Sequence, residues 1–401
     1  MKPFRKNRSK GQIFPPPPKF GEGGLSHLNF IYLCVVLSGI ALFFTADGLF
    51  TADSFEYSKE SVGLLTSQKE ERKVKHLKTP EAVKGIYITS WVAGIPEWRG
   101  ELIKFIDATE LNAVVIDVKD YTGRIAFKTE DAELTALGSP ENRISDIKEF
   151  IEELHRHNIY AIARISVFQD VYLSGLMPNL AIKNKQGGLW KDRKGLTWLD
   201  PASQEVWDYT IKVAKSAEKA GFDELNFDYV RFPSDGNMAN IKYEHWDGEI
   251  SQAEVLKSFF SYLRERLNEL EVPLSADLFG LTTIRTDDMN IGQILENTIP
   301  YFDYISPMVY PSHYPQGFNG YKNPASHPYE VILDSLTSAR NRLLNATSSP
   351  LKLRPWLQDF DLGADYNAKM IRLEKQAVYD AGLNSWLMWD ATNKYTREAY
   401  D

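Results

Sequence analysis

The chain has 401 residues, and its formal net charge is −8 at pH 7. This acidic balance argues against a nucleic-acid binder, because no basic stripe in the body of the chain compensates it. The single cysteine, Cys34, excludes an intrachain disulfide framework. The length admits either two domains or one barrel with appendages.

The N-terminal region indicates a membrane anchor. A basic, proline-rich tail (residues 1–27) precedes residues 28–46, an uncharged apolar run as long as a membrane-spanning helix. Because basic residues stay on the cytoplasmic side, we expect a single-pass protein of the cell membrane with its body outside the cytoplasm. Secretion after signal cleavage is the alternative, although Phe44 and Phe50 occupy positions where cleavage prefers small residues. Residues 47–82 have the mixed charge of a linker.

From residue 83 onward, strand-like segments alternate with helical patterns. Helical spacing is found at residues 99–111, 144–157 and 203–220. Eight strands alternating with helices over residues 83–401 predict an α/β fold, a (β/α)8 TIM barrel. A doubly wound open sheet is the alternative, but no glycine-rich phosphate loop follows the first strand. The eight strand-like segments are residues 83–89, 113–120, 160–168, 222–236, 272–280, 301–310, 353–358 and 384–390.

The fourth of these segments carries the strongest functional signal. Asn226 and Asp228 alternate with apolar Leu225 and Phe227, which is the pattern of a strand with one polar face. Burying a carboxylate is costly unless it is paired or used, and polar residues at the carboxyl ends of barrel strands are typical of catalysis. The alternative is that Asp228 forms only a structural ion pair with Arg231, which follows it closely.

Asp277 ends the fifth strand at a position equivalent to that of Asp228. Glycoside hydrolysis requires two such carboxyl groups, one that attacks or activates water and one that protonates the leaving oxygen. We therefore predict that Asp228 and Asp277 are the catalytic pair of a retaining glycosidase, with Arg164 and Arg231 keeping Asp228 ionised. The long loop at residues 169–201 is where substrate specificity is expected. The predicted substrate-binding residues, most of them polar or aromatic groups near strand ends, are Tyr87, Trp91, Asp117, Asp120, Arg164, Asn226, Arg231, Tyr310, Trp389 and Asp390.

Five segments together resemble a known family. They are residues 84–87 (KGIY), 115–120 (VIDVKD), 226–233 (NFDYVRFP), 306–312 (SPMVYPS) and 386–390 (WLMWD). Over residues 83–396 the chain resembles a bacterial family named the putative glycosyl hydrolase domain, whose substrate is uncharacterised. The resemblance implies a TIM barrel of the broad amylase-like group, in which the nucleophile often ends the fourth strand, as Asp228 does. The acid of that group is often a glutamate ending the fifth strand, and Asp277 departs from this pattern.

Two other functions compete with hydrolysis. A non-catalytic glycan-binding barrel would use the same carboxylates and aromatic rings for recognition only. A metal-dependent hydrolase or deacetylase requires converging histidines and carboxylates, but His245, His313 and His327 fall in predicted loops. We therefore expect no metal or other cofactor, a carbohydrate as the substrate, the membrane as a partner through the N-terminal helix, and no nucleic acid.

Overall fold

A computed structural model of the chain describes residues 75–400. Eight parallel strands close into a barrel in which each strand pairs with its neighbours in sequence and the last pairs with the first. The predicted TIM barrel is therefore confirmed. The strands are β1 (Lys84–Ile88), β2 (Ala113–Lys119), β3 (Tyr160–Ser166), β4 (Glu224–Asp228), β5 (Leu274–Phe279), β6 (Tyr304–Met308), β7 (Trp356–Gln358) and β8 (Trp386–Trp389).

Helices connect the strands, and the segment after β8 contains only a short 3-10 turn at Arg397–Ala399. The longest connections are amphipathic helices whose buried residues face the sheet. The α-helices are α1 (Ser90–Ala93), α2 (Pro96–Asp107), α3 (Ala132–Ala136), α4 (Ile147–Arg156), α5 (Val171–Leu176), α6 (Gln204–Ala220), α7 (Gln252–Leu267), α8 (Leu295–Thr298), α9 (Pro328–Asn345) and α10 (Ala368–Asp380).

Local chemistry sets several element boundaries. Helix α2 begins three residues earlier than predicted, because Pro96 supplies the fixed φ that suits the first turn of a helix. Helix α6 ends at Gly221, whose φ of 110° is accessible because glycine has no side chain. The fourth strand-like segment is predicted at residues 222–236, but β4 stops at Asp228, and Tyr229 adopts a left-handed φ of 54°.

Strand alternation divides the apolar side chains into two cores. Ile86 and Ile88 of β1 belong to the larger core between sheet and helices. Tyr87 lies between them in sequence and packs instead with Val115 and Ile162 of the neighbouring strands. Because this second cluster draws on several strands, it fills the interior of the barrel.

A register irregularity in β2 separates two charged residues that strict alternation would place on one face. The pairing of β2 with β3 shifts between Asp117 and Lys119. Asp117 contacts Arg164, whereas the Lys119 ammonium group donates to the Ser166 carbonyl oxygen at 2.6 Å and pairs with Asp170 at 2.8 Å. The irregularity thus leaves Asp117 available to the site while Lys119 holds the loop that follows β3.

The segment at residues 75–82 crosses the amino-terminal end of the barrel. The Leu77 backbone N–H donates to Asp223 at 2.7 Å, and the Thr79 hydroxyl lies 3.0 Å from the Tyr160 hydroxyl. Within residues 75–400, no helix has both the length and the apolar character needed to cross a membrane. The predicted transmembrane segment at residues 28–46 lies outside the described residues, as do the tail at 1–27 and residues 47–74 of the linker.

Candidate active site

A buried arginine lies among three carboxyl groups at the carboxyl-terminal mouth of the barrel. Arg164 of β3 is 6% exposed. Its Nη1 donates to Asp117 Oδ1 at 2.6 Å, its Nη2 donates to Asp228 Oδ2, and its Nε lies 3.8 Å from Asp277 Oδ2. Residues from β2, β4 and β5 therefore share one positive charge. The structure brings both predicted catalytic aspartates and the predicted Arg164 into one cluster.

Asp228 has a donor for each of its oxygens. Besides the contact of Oδ2 with Arg164, its Oδ1 accepts the backbone N–H of Tyr229 at 2.5 Å. The left-handed conformation of Tyr229 is uncommon for an aromatic residue, and it occurs directly beside the carboxylate. An arginine and a backbone N–H are donors only, so this environment suits a carboxylate anion.

Asp277 lies in a different environment. It is 1% exposed, and its Oδ1 accepts hydrogen bonds from Asn226 Nδ2 at 2.9 Å and from Trp356 Nε1 at 2.8 Å. Burial and the nearby Asp228 carboxylate raise the pKa of Asp277 to about 8, against the opposing effects of Arg164 and the two hydrogen bonds. This environment favours the protonated form of Asp277, beside an Asp228 carboxylate that contacts only donors.

The two aspartates lie at equivalent levels of neighbouring strands. Phe227 of β4 pairs in register with Ala276 of β5. Asp228 and Asp277 are the next residue on each strand, so parallel pairing places them side by side on the same face.

Aromatic residues form one wall of the cluster. Tyr87 donates its hydroxyl to Asp117 Oδ2 at 2.5 Å and stacks on Trp389 with 3.9 Å between ring centres. The guanidinium carbon of Arg164 lies 4.9 Å from the Trp389 ring centre. Burial, and then the Asp277 and Asp228 carboxyl groups, raise the pKa of Tyr310, whose hydroxyl therefore stays protonated. The structure thus places Tyr87, Tyr310 and Trp389 at the candidate site.

Two of the predicted substrate-binding acidic residues contact groups of their own loops. Asp120 accepts from Arg143 at 2.7 Å and from the Thr122 backbone N–H at 3.0 Å. Asp390 accepts the backbone N–H of Thr392 at 2.7 Å and that of residue 394 at 3.1 Å. Their carboxylates are occupied in shaping the loops after β2 and β8, and neither contacts Arg164.

Arg231 and Trp91 lie at the rim. Within the described part of the chain, Arg231 forms no ion pair with Asp228, and of the two predicted arginines only Arg164 contacts that carboxylate. Trp91 is 58% exposed on α1, and the guanidinium carbon of Arg143 lies 4.4 Å from its ring centre. One face of the Trp91 ring is therefore supported by Arg143, and the residue as a whole remains open to solvent.

The chain matches one known protein family. The family model described as "Putative glycosyl hydrolase domain" matches residues 85–395. The chain belongs to this family. It is accordingly a glycoside hydrolase with a TIM-barrel fold. No curated protein matches the chain.

The chain is also similar to solved structures. A hypothetical protein from Ruminiclostridium thermocellum ATCC 27405 is 34% identical, with a TM-score of 0.44 over 48% of this chain and 96% of that one. The PgaB (BpsB) glycoside hydrolase domain from Bordetella bronchiseptica is 13% identical, with a TM-score of 0.57 over 77% and 94% of the two chains. An α-galactosidase from Thermus thermophilus is 13% identical, with a TM-score of 0.47 over 80% and 60%.

Sequence reasoning missed two residues that shape the candidate site. Trp356 donates to Asp277, and Tyr229 supplies both a backbone donor to Asp228 and the turn that ends β4. Alternation within Trp356-Leu-Gln358 gives a signal for the first, since it places Trp356 on one face with polar Gln358. The sequence gives no signal for the left-handed Tyr229. Among residues 75–400, no group of three or more His, Cys, Asp or Glu side chains is arranged to hold a metal ion.

Proposed function

We propose that the chain hydrolyses a poly- or oligosaccharide by a two-carboxylate mechanism, with Asp228 as the anionic group and Asp277 as the general acid. The observation that carries this proposal is the contrast between two neighbouring carboxyl groups. Asp228 contacts only donors, one of them charged, whereas burial and Asp228 itself raise the pKa of Asp277 to about 8. Environments that separate paired carboxyl groups in this way assign the acid and its partner.

In the proposed reaction, Asp228 attacks the anomeric carbon while Asp277 gives its proton to the leaving oxygen. Neighbouring strands lie about 4.8 Å apart, so carboxyl groups at one level of adjacent strands can reach the ~5–5.5 Å of retaining enzymes more readily than the ~6.5–9.5 Å of inverting ones. A retaining mechanism is therefore the better supported. Asp277 then returns as the base that activates water against the glycosyl ester of Asp228.

The aromatic wall supports a sugar-binding role for the same mouth. The rings of Tyr87 and Trp389 and the hydroxyl of Tyr310 lie at the carboxyl cluster, and exposed Trp91 lies at the rim. Flat apolar rings with polar edges suit sugar faces and hydroxyl groups. A glycan-binding barrel without turnover would need such rings too, but it would not need a proton on Asp277.

Hydrolysis of a glycan panel by the full chain and by Asp228→Asn tests the proposal. We expect Asp228→Asn to abolish turnover while its melting temperature stays close to the wild-type value, because the side-chain volume is nearly unchanged. Asp287→Asn, at an exposed ion pair with Arg285, is the matched control and should retain activity. Full activity of a folded Asp228→Asn variant would contradict the assignment. Binding without turnover by the wild type would favour the glycan-binding alternative, and loss of activity with a chelator would favour a metal-dependent one.

We also propose that the hydrolase acts outside the cytoplasm while anchored to the cell membrane. The uncharged, span-length run at residues 28–46 behind a basic tail supports this location. Fractionation of cells that express the full chain tests it, with the expectation that the protein sediments with membranes. A soluble form that begins near residue 47 or 53 would show signal cleavage instead.

A further inference from the structure

Arg231 is held at the mouth by aromatic rings. It belongs to the loop after β4, and its guanidinium carbon lies 4.7 Å from the ring centre of Trp198, 5.4 Å from that of Tyr229 and 4.7 Å from that of Phe279. These rings come from the loop after β3, from the end of β4 and from the end of β5. Stacking against several rings limits the orientation of the planar guanidinium group.

The same guanidinium group has donors that the protein does not use. Nη1 donates to the carbonyl oxygen of Phe232 at 3.1 Å and to the hydroxyl of Ser234 at 3.3 Å. Nε and Nη2 donate to no acceptor within residues 75–400, and neither is sealed from solvent. Two adjacent N–H groups in one plane match the two oxygens of a carboxylate.

The positive charge of Arg231 is also without a close partner. Burial lowers the pKa of Arg231 overall, and the nearby carboxylates of Asp228, Asp192 and Asp235 act in the opposite direction. None of these carboxylates lies within 4.0 Å, the limit for an ion pair. Asp228 is bound by Arg164, and Asp192 accepts from Trp198 Nε1 at 3.1 Å. Two of the three acidic neighbours of this partly buried cation are thus otherwise engaged, and such a cation is expected to favour an incoming anion.

We propose that Arg231 binds a carboxylate carried by the substrate, so that this hydrolase acts on an acidic glycan. The inference rests on the proposed function. Tyr229 directly follows Asp228, and Phe279 is two residues beyond Asp277, so the arginine lies beside the sugar units that flank the cleaved bond. A singly charged carboxylate fits better than a phosphate, because the nearby aspartates would repel a second negative charge.

Matched pairs of oligosaccharides test this substrate class. Oligogalacturonides, alginate oligosaccharides and hyaluronan oligosaccharides are each compared with the same material after chemical reduction of the carboxyl groups to alcohols. Hydrolysis by the full chain gives kcat/KM for each pair, and equilibrium binding to Asp228→Asn gives the preference independently of turnover. Both measurements are repeated with Arg231→Gln and Arg231→Lys. Arg266→Gln is the matched control, because Arg266 is exposed on α7 and stacks only on Tyr262.

We expect the wild type to prefer at least one carboxylated material over its reduced form by about tenfold, as befits a charged hydrogen bond. Arg231→Gln should bring that ratio close to one, and Arg231→Lys should give an intermediate ratio because it retains the charge without the planar fork. Arg266→Gln should keep the wild-type ratio. Melting temperatures show whether each variant is folded.

Equal use of both members of every pair by the wild type would overturn the inference, as would a preference that survives in Arg231→Gln. Failure of every carboxylated material to bind would overturn it as well. A preference in binding that depends on Arg231 but is not followed by hydrolysis would support the anion site and contradict the proposed hydrolytic mechanism. The two proposals therefore fail in different ways.

Discussion

At the scale of single residues, the chemistry of the mouth depends on how one arginine is shared. Arg164 donates to Asp117 and Asp228 through its two terminal nitrogens, but only its Nε is directed at Asp277, at 3.8 Å. The closer contacts compensate the charge of Asp228, and the longer one leaves Asp277 with less compensation. The same side chain thus places the carboxyl groups of Asp228 and Asp277 in different electrostatic environments.

The first prediction concerns the pH dependence that this proton gives to catalysis. A general acid must be protonated, so kcat/KM of the wild type should fall as the pH rises through about 8, the pKa of Asp277. Asp277→Asn should lower the rate on poor leaving groups by about 10²–10⁴-fold and remove this alkaline limb. Activated aryl glycosides, which need less protonation, should be affected much less. An unchanged alkaline limb in the variant would assign the acid to another residue.

Stability provides a second readout of the same group. At pH values between the ordinary aspartate pKa of about 4 and the raised pKa of about 8 in the folded state, Asp277 takes up a proton when the chain folds. The free energy of unfolding therefore declines as the pH rises through this window. Asn retains the oxygen that accepts from Asn226 and Trp356 and carries no charge at any pH. Urea unfolding at pH 5 and pH 8.5 should therefore show a smaller decline for Asp277→Asn than for the wild type.

A separate prediction follows for Arg164→Met, which leaves three carboxyl groups without their shared cation. Breaking a buried ion pair by removing one partner costs about 3–5 kcal/mol, so the free energy of unfolding at pH 7 should fall by about this amount. The loss should be smaller at pH 5, because protonation of the carboxyl groups removes their mutual repulsion. Arg285→Met, which breaks an exposed pair with Asp287, should cost no more than about 1 kcal/mol. An equal loss at both pH values would contradict a role in charge compensation.

How far the sequence predicts the site depends on how each residue is placed. Asp228, Asp277 and Arg164 lie on strands with one polar face, and alternation is enough to bring them together. Arg231 lies beyond Tyr229, whose left-handed conformation turns the chain away from the extended path. The closeness of Arg231 to Asp228 in sequence therefore suggested an ion pair, but the turn at Tyr229 separates the two side chains.

At the scale of elements, the loop after β3 is the largest addition to the barrel mouth. It folds back on itself through short antiparallel bridges, and Lys183–Asn184 pairs with Ile241–Lys242 in the loop after β4. Its length was evident from the sequence, but its internal pairing was not, because two-residue strands leave no periodic pattern. The strand ends were predicted less well than the strands themselves, since loop residues extend several apolar runs.

The loop after β3 also provides a prediction, which concerns Asp192. Asp192 accepts the backbone N–H groups of Lys194 and Leu196 at 2.9 Å each, and its other oxygen accepts from Trp198 Nε1 at 3.1 Å. Asp192 also accepts from Gln169 Nε2 at 3.1 Å. Asp192→Ala removes all four acceptor contacts and should release Trp198, one of the rings that hold Arg231. We expect kcat/KM to fall more than tenfold while the melting temperature drops by only a few degrees. The kcat/KM of Asp192→Asn, which keeps one oxygen acceptor, should lie between those of the wild type and Asp192→Ala.

Hydrolysis and thermal melting of the purified full-length variants check this expectation. A change in tryptophan fluorescence that accompanies the loss of activity, and that is absent when Trp198 is replaced by Phe, would support displacement of the ring. Full activity of Asp192→Ala would show that the order of this loop is not needed for turnover.

At the scale of the whole molecule, the barrel has a chemical end and a structural end. The mouth carries the carboxyl cluster, whereas the opposite end is closed by the segment at residues 75–82 and by buried polar pairs such as Glu224 with Arg354 at 2.8 Å. In TIM barrels, catalytic residues usually lie at the carboxyl ends of the strands, and residues at the opposite end contribute to stability. The linker predicted at residues 47–82 therefore includes a part that belongs to the folded domain.

The last prediction tests this closing segment with two truncated forms, one beginning at residue 75 and one at residue 83. The shorter form leaves Asp223 Oδ1 without the Leu77 N–H and removes the pair between His76 and Glu218 at 3.1 Å. A hydrogen bond to Glu218 raises the pKa of His76, although burial opposes it. The stabilisation is thus fully present below the ordinary histidine pKa of about 6.5 and is lost as the pH rises through the raised value.

The difference in melting temperature between the two truncated forms should accordingly be several degrees at pH 6 and smaller at pH 9. Both forms should hydrolyse the same substrates, because the mouth is untouched. His76→Gln in the longer form should remove the pH dependence of that difference, and a difference that is independent of pH would show that Leu77 and Thr79, rather than His76, hold the segment.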